Sequence, residues 1–226
     1  MIKKFKKRII ISSLLSFLLV SCASWPSNVA GNFNQTFKAF SALIYGYEDF
    51  PINQALIDQI PYASLRMKIG KGPAGLLILE SVDKKDYTWV STDDIYITIR
   101  NGRIIRAQGL PNNLLEFYST EPSFEEILNN KNGLENYFRY ITLDNPEVFD
   151  LRIRVSYRRL DSETVFILDE EKELVLIEEM IENNYIRWRH TNKYWVDQNT
   201  GFVWQSIQEI APNVPPIFIQ ITKKPS

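Results

Sequence analysis

The sequence predicts a mainly β fold built as one large antiparallel meander, and three observations predict it. Beyond Tyr62 the apolar residues recur with period two rather than 3.6, the signature of strands with one buried face. The apolar runs are short and separated by tight turn-formers, about ten to twelve of them. Asn101-Gly102 stands directly between two alternating runs. That pair is the strongest short-range hairpin signal, because both residues accept the positive φ of a type I′ turn. Consecutive strands with hairpin-length connections pair antiparallel. A sheet this large curls into a barrel or half-barrel, or splits into two packed layers.

The elements follow in order. Phe33, Phe37, Phe40 and Ile44 recur at helical spacing, which predicts an amphipathic helix of about three turns, ending near Gly46 and packing on the sheet. Leu65, Met67 and Ile69 alternate with Arg66 and Lys68, and residues 70–73 turn the chain. Leu76–Leu79 and Trp89-Val90 are short apolar runs, followed by Ile95, Ile97 and Ile99 and, after Asn101-Gly102, by residues 103–106. Pro111–Asn113 reads as a loop. Ser123 with Glu126 is a capping-box pair that starts a second short helix over Phe124–Asn129. Leu151, Ile153, Val155 and Tyr157 face one way, and Arg152, Arg154, Ser156 and Arg158 the other. Val165–Leu168 and Leu174–Ile177 flank a four-residue loop, Asp169–Lys172. Residues 178–182 fit a strand or a helix. Tyr185–Arg189, Lys193–Val196, Phe202–Ile210 and Ile217–Ile221 are further strands, with a turn at Asp197–Gly201 and Pro212, Pro215 and Pro216 before the last.

The front of the chain is an address. Lys3, Lys4, Lys6, Lys7 and Arg8 precede a 12-residue run, Ile9–Val20, interrupted only by serines. A basic start, a short apolar core and a small residue before a processing point describe a signal peptide, residues 1–21. The run is well short of the roughly 20 residues that span a bilayer as a helix. Leu19-Val20-Ser21-Cys22 resembles the bacterial lipobox. That resemblance implies lipid on the Cys22 sulfur, cleavage before it, and acylation of the new amino terminus. Several acyl chains on one residue form a stable anchor where one chain is marginal. Ala23, rather than Asp, implies sorting to the outer membrane. Residues 22–32, small and polar with Pro26 and Gly31, form a flexible tether, and residues 33–226 form one β-rich domain.

Charge and residue usage narrow the function classes. Removing residues 1–21 takes away five of 26 Lys+Arg and no acid, leaving 21 against 27 and a net charge of −6. An acidic body argues against nucleic-acid partners, which select a basic footprint. Cys22 is the only cysteine, so an acylated chain has no thiol for a disulfide, nucleophile or metal site. The single histidine, His190, excludes histidine-rich metal centres and lacks a G-x-S-x-G elbow; at a strand end it is expected solvated or hydrogen-bonded. No phosphate-binding glycine motif is present, and neither metal nor cofactor is expected. The acidic pairs, Glu178-Glu179 among them, are expected on the surface.

Two sets of side chains bear on binding. Arg152, Arg154, Arg158, Arg159, Arg187 and Arg189 either form a wet outer face balanced by Glu178, Glu179 and Glu182, or line a groove for an acidic polymer. Trp188, Trp195 and Trp204, expected on successive strands, are either core or a stacking surface for sugar. Trp188, Trp195, Trp204, Arg152 and Arg154 are therefore the glycan-binding candidates.

Several segments together resemble the YjbF/GfcB family of group 4 capsule polysaccharide lipoproteins. They are the lipobox, the early helix, Leu56 and Ile60-Pro61-Tyr62-Ala63-Ser64, Trp89 with Asn101-Gly102-Arg103, Leu110-Pro111-Asn112-Asn113-Leu114, and Tyr194-Trp195-Val196-Asp197 with Thr200-Gly201. The resemblance runs from Phe37 to Pro225. It implies a meander curled as a half-barrel, no enzyme activity, and a lipid-anchored protein on the periplasmic face of the outer membrane. The implied role is accessory, in export or assembly of a capsule or exopolysaccharide alongside the export proteins there. A lipid or glycolipid carrier, with an apolar ligand in the curled sheet, is the alternative.

Overall fold

The computed structural model describes Asp49, residues 51–130, Leu134 and residues 136–225. The barrel belongs to a compact unit spanning Tyr47–Ser226. The signal peptide, the tether, the boundary at residue 33 and the helix expected over Phe33–Ile44 lie outside the described residues.

The chain enters through a short helix, α1 (Gln54–Gln59), capped by the Asn53 side chain, which accepts from the Leu56 N–H at 3.0 Å. Five strands follow: β1 (Ser64–Ile69), β2 (Ala74–Asp83), β3 (Asp86–Val90), β4 (Tyr96–Arg100) and β5 (Arg103–Gln108). After β6 (Leu114–Ser119) comes α2 (Phe124–Asn129), then β7 (Tyr137–Asp144) and the long hairpin of β8 (Glu147–Ile167) and β9 (Glu170–Asn183). β10 (Trp188–Val196), β11 (Val203–Gln208) and β12 (Ile217–Lys223) complete the sheet.

Every neighbour in sequence pairs antiparallel, and β12 pairs with β1, so the meander closes into a 12-stranded barrel. The curl anticipated as a half-barrel goes to full closure: Leu65–Ile69 of β1 find their partners on Ile217–Ile221 of β12, which leaves neither strand as a free edge. One seam is thin. β5 and β6 pair only at Ala107 and Leu114.

Inside and outside follow from the period-two pattern. Leu65, Met67, Ile97, Ile153, Val155, Ile177, Ile181 and Tyr194 point inward and are buried. The outer face carries charge: Arg66 and Lys68 on Asp49, Arg100 on Asp86, Arg158 on Glu178, and Arg154 and Arg189 on Glu182. A barrel that crosses a membrane presents an apolar band outward. This one has the opposite arrangement, which suits water.

A helix plugs the barrel. Ser123 and Glu126 form the expected capping box, and α2 covers the residues expected of it. Its Phe124, Ile127 and Leu128 join the barrel core, with the Phe124 ring 4.6 Å from that of Tyr194. Beyond a bulge between Arg159 and Ser162, the β8–β9 hairpin covers the outside of the sheet. There Val165, Ile167, Leu174 and Leu176 enclose Trp195, and Gln220 donates to the Phe166 carbonyl at 3.0 Å.

Some expected boundaries shift. Tyr185–Arg187 is a turn rather than strand, with Tyr185 95% exposed. The loop expected at Asp169–Lys172 is tighter, because Ile167 already pairs with Glu170. α1, β6 and β7 have no counterpart among the elements expected from the sequence. In β7 the inward positions include Arg139, which breaks the apolar alternation that would have announced the strand.

The Asn101-Gly102 turn has positive φ at both residues (47° and 79°), as a type I′ turn requires. A Cβ on Gly102 would lie 2.6 Å from the Val203 Cβ, whereas one on Gly75 would meet nothing within 4 Å. Gly102→Ala is therefore expected to cost about 1–3 kcal/mol in urea unfolding from positive-φ strain and crowding. Gly75→Ala is expected to leave the midpoint nearly unchanged.

Candidate functional site

Two places in the described barrel concentrate chemistry. The first is a charged cluster inside it. Glu179 of β9 is 0% exposed and faces inward because Ile177 and Ile181, two residues to either side, do. Its Oε1 accepts from Arg139 at 2.7 Å, from Arg103 at 3.2 Å and from the Tyr157 hydroxyl at 3.0 Å. Its Oε2 accepts from Asn192 at 2.7 Å and Tyr194 at 3.1 Å. Glu121, just before α2, adds a second carboxylate, held by Arg139 at 2.7 and 2.8 Å and by the Tyr157 hydroxyl. Two guanidiniums thus face two carboxylates.

Burial alone would push the Glu179 carboxyl up. Arg139 and Arg103 outweigh it and hold the group at about 2, below the ordinary 4.5. Burial likewise opposes the charge on Arg103 and Arg139, but the surrounding anions raise both guanidiniums above their ordinary value. Burial, and then the nearby charge of Glu179, keep the Tyr194 hydroxyl protonated; burial does the same for Tyr157. Near pH 7 Glu179 and the two guanidiniums are thus charged and the two hydroxyls neutral. The void beside Arg139 and Asn192 is only about 10 Å³, about the minimum for one water. With α2 and the cluster filling the interior, the barrel described here is packed where a lipid carrier would need an apolar lumen.

The second place is a cavity of about 330 Å³ at one end of the barrel. Alternating strand direction puts the β2–β3, β4–β5 and β10–β11 turns at that end, with α2 and the end of β12. Tyr87, Trp89, Phe124 and Phe202 give it an aromatic lining, and Lys85 and Lys224 supply cations. Two close approaches shape it: Gly102 against Val203, and Gly201 against Glu125, where a Cβ would come 2.9 Å from the Glu125 nitrogen. Nothing in the period-two pattern announces this cavity, because its residues come from three separate turns, the start of α2 and the strand ends beside them.

The residues singled out in the sequence separate. Trp188 is buried at the end of β10 and donates to Glu209 at 2.5 Å. Trp195, on the same strand rather than the next, faces outward beneath the β8–β9 hairpin and donates to Glu163 at 2.8 Å. Trp204 is half-buried, 4.4 Å from the Lys172 ammonium and edge-on to Phe202. The three do not form one stacking surface, because seven residues of strand put Trp188 and Trp195 on opposite faces. Arg152 lies over the Phe138 ring at 3.9 Å, and Arg154 pairs with Glu182 at 2.5 Å. The outer face is the charge-balanced one, with Glu178 and Glu182 as expected. Glu179 is the correction: it balances the interior. His190 is hydrogen-bonded to Glu209 at 3.0 Å. Burial raises Glu209, but the bonds from His190 and Trp188 leave it below its usual value. Among the described residues no group of three or more His, Cys, Asp or Glu is placed to hold a metal ion.

Comparison with known proteins agrees with this architecture. A family model described as "Group 4 capsule polysaccharide lipoprotein gfcB, YjbF" matches residues 37–222. The uncharacterized lipoprotein GfcB of Escherichia coli K12 is 22% identical over 227 residues, covering 96% of this chain and 98% of that one. The uncharacterized lipoprotein YjbF of the same organism is 20% identical, covering 93% and 95%. The crystal structure of the hypothetical lipoprotein YmcC from Escherichia coli K12 has the same fold, with a TM-score of 0.69 at 23% identity over 83% of this chain and 95% of that one.

The Glu179 pKa makes a testable claim. Its folded value lies below the unfolded one, so the stabilisation is complete above about pH 4.5 and is lost as pH falls toward 2. The shift corresponds to about 3 kcal/mol. Urea unfolding across pH 2–6 should show wild type losing about that much more stability than Glu179→Gln. At neutral pH the variant should be weaker by about 3–5 kcal/mol, since it leaves buried guanidiniums underbalanced. Parallel pH profiles for the two proteins would contradict the assignment.

Proposed function

The chain belongs to the YjbF family of group 4 capsule polysaccharide lipoproteins, and on that premise we propose that it is a non-enzymatic accessory factor in the export or assembly of a surface polysaccharide. The family match over residues 37–222 carries this reading. Lipid on Cys22 holds the barrel to the periplasmic face of the outer membrane, as the lipobox and Ala23 suggest. The partners are the polysaccharide-export proteins of that membrane.

What supports a non-enzymatic role is the use made of the ionisable groups. Glu121 and Glu179 are paired with Arg103 and Arg139 in the barrel interior, and a carboxylate held at about 2, as Glu179 is, is a poor proton acceptor near neutral pH. The outer carboxylates Glu178 and Glu182 are occupied by arginines. The barrel then serves as a rigid body presenting loops, rims and a charged wall.

Deleting the gene is expected to lower surface polysaccharide several-fold, measured by uronic acid or anthrone assay on washed cells. Cys22→Ser is expected to leave the membrane-pellet fraction and to restore little of it. An unchanged polysaccharide level in the deletion strain would overturn the reading.

A further inference from the structure

We propose that the aromatic cavity at the α2 end of the barrel binds an acidic saccharide segment. The proposal rests on the polysaccharide role above and names the ligand class. At about 330 Å³ the cavity is at the low end of the roughly 300–1,000 Å³ of ligand pockets. It suits a short run of sugar rather than a long acyl chain.

Its chemistry has three parts. Tyr87 of β3 and Phe202 of the β10–β11 turn are part-exposed and offer ring surface to the apolar C–H side of a pyranose, while the buried Trp89 and Phe124 form the floor beneath them. Lys85 and Lys224 make no ion pair within 4 Å among the described residues; the Lys224 ammonium lies 4.4 Å from the Phe202 centroid. Glu125 is the one carboxylate in the lining, and Glu126 and Asp197 feel the charges of Lys85 and Lys224 without pairing with them, so both ammoniums remain free to contact an anionic group on the sugar. The third part is an orphan donor. Trp89 is 2% exposed, and its indole Nε1 has no hydrogen-bond partner. Buried donors are rarely left unmade, because the group has lost its water without replacement. The nitrogen is covered in this structure, and in the complex a sugar oxygen supplies the partner it lacks.

The cavity also gathers chain segments that are distant in sequence. Trp89, Asn101-Gly102 and Thr200-Gly201 all line it. The two glycines allow backbone to approach Val203 and Glu125 more closely than any side chain would. That builds a fixed wall rather than a loose rim.

The test uses the full lipidated protein in detergent micelles, labelled with ¹⁵N at its five tryptophans, of which Trp89 is identified by Trp89→Phe. The probes are oligosaccharides from acid hydrolysis of the strain's own surface polysaccharide, split by anion exchange into acidic and neutral pools. The acidic pool should shift the Trp89 indole signal saturably, while Trp188 and Trp195 stay in place. Lys85→Ala with Lys224→Ala should weaken that binding at least tenfold with an unchanged melting temperature. No movement of Trp89 at millimolar acidic pool, or equal response to the neutral pool, overturns the proposal. A deletion strain that still loses polysaccharide in that case leaves the export role standing without this site. A saturable Trp89 shift beside unchanged polysaccharide in the deletion strain does the reverse.

Discussion

One carboxylate organises the interior. Glu179 accepts hydrogen bonds from Arg103 on β5, Arg139 on β7, Tyr157 on β8, and Asn192 and Tyr194 on β10. A buried charge left without partners is strongly destabilising, so all of these strands must sit in the one register that brings their polar atoms to it. A one-residue slip of β9 would turn Glu179 outward and Glu178 inward, away from Arg158. The cluster thus contributes specificity of register, while the apolar residues around it supply the burial.

The same cluster explains how the barrel is filled. Closing twelve strands leaves an interior that side chains of ordinary size do not reach across, as the wide aqueous lumens of larger barrels illustrate. Here the interior takes in a helix and the residues before it. Glu121 brings that segment to Arg139 and Tyr157, and Phe124 sits against Tyr194 and 4.2 Å from the Arg103 guanidinium. Arg103 binds it further through a cation–π contact, stronger where water is excluded. The plug and the cluster depend on one another, and the cavity lies where the start of α2 packs against the Thr200-Gly201 turn, with the Asn101-Gly102 turn also in its lining.

Local chemistry was legible in the sequence wherever a short segment determines its own structure. The Ser123–Glu126 capping box and the Asn101-Gly102 turn need no distant partner, and both form as expected. The outer ladder of arginines and glutamates was legible too, since Arg154, Arg158 and Arg189 find Glu182 and Glu178 by simple cross-strand pairing. What was hidden depends on the inside of the barrel. Glu179 reads as a surface acid beside Glu178 until closure brings Arg103 and Arg139 to it, 76 and 40 residues away. The strand β7 was obscured for the same reason, by an arginine in an inward position. The tryptophans were misleading because their burial comes from different sources, the lumen for Trp188 and an overlying hairpin for Trp195.

In the proposed scaffold role the buried charges fix the register of the barrel and do no chemistry. Buried ion clusters can be exchanged for apolar side chains of similar volume with little loss, or a gain, in stability. The direct test is a quadruple variant, Arg103→Met, Arg139→Met, Glu121→Leu and Glu179→Leu, expressed from the native locus and compared with wild type for surface polysaccharide at matched protein abundance. A scaffold role predicts a wild-type level of polysaccharide from a folded variant with β-sheet circular dichroism intact. A folded, equally abundant variant that fails to support polysaccharide would contradict it and make the buried cluster itself the functional centre.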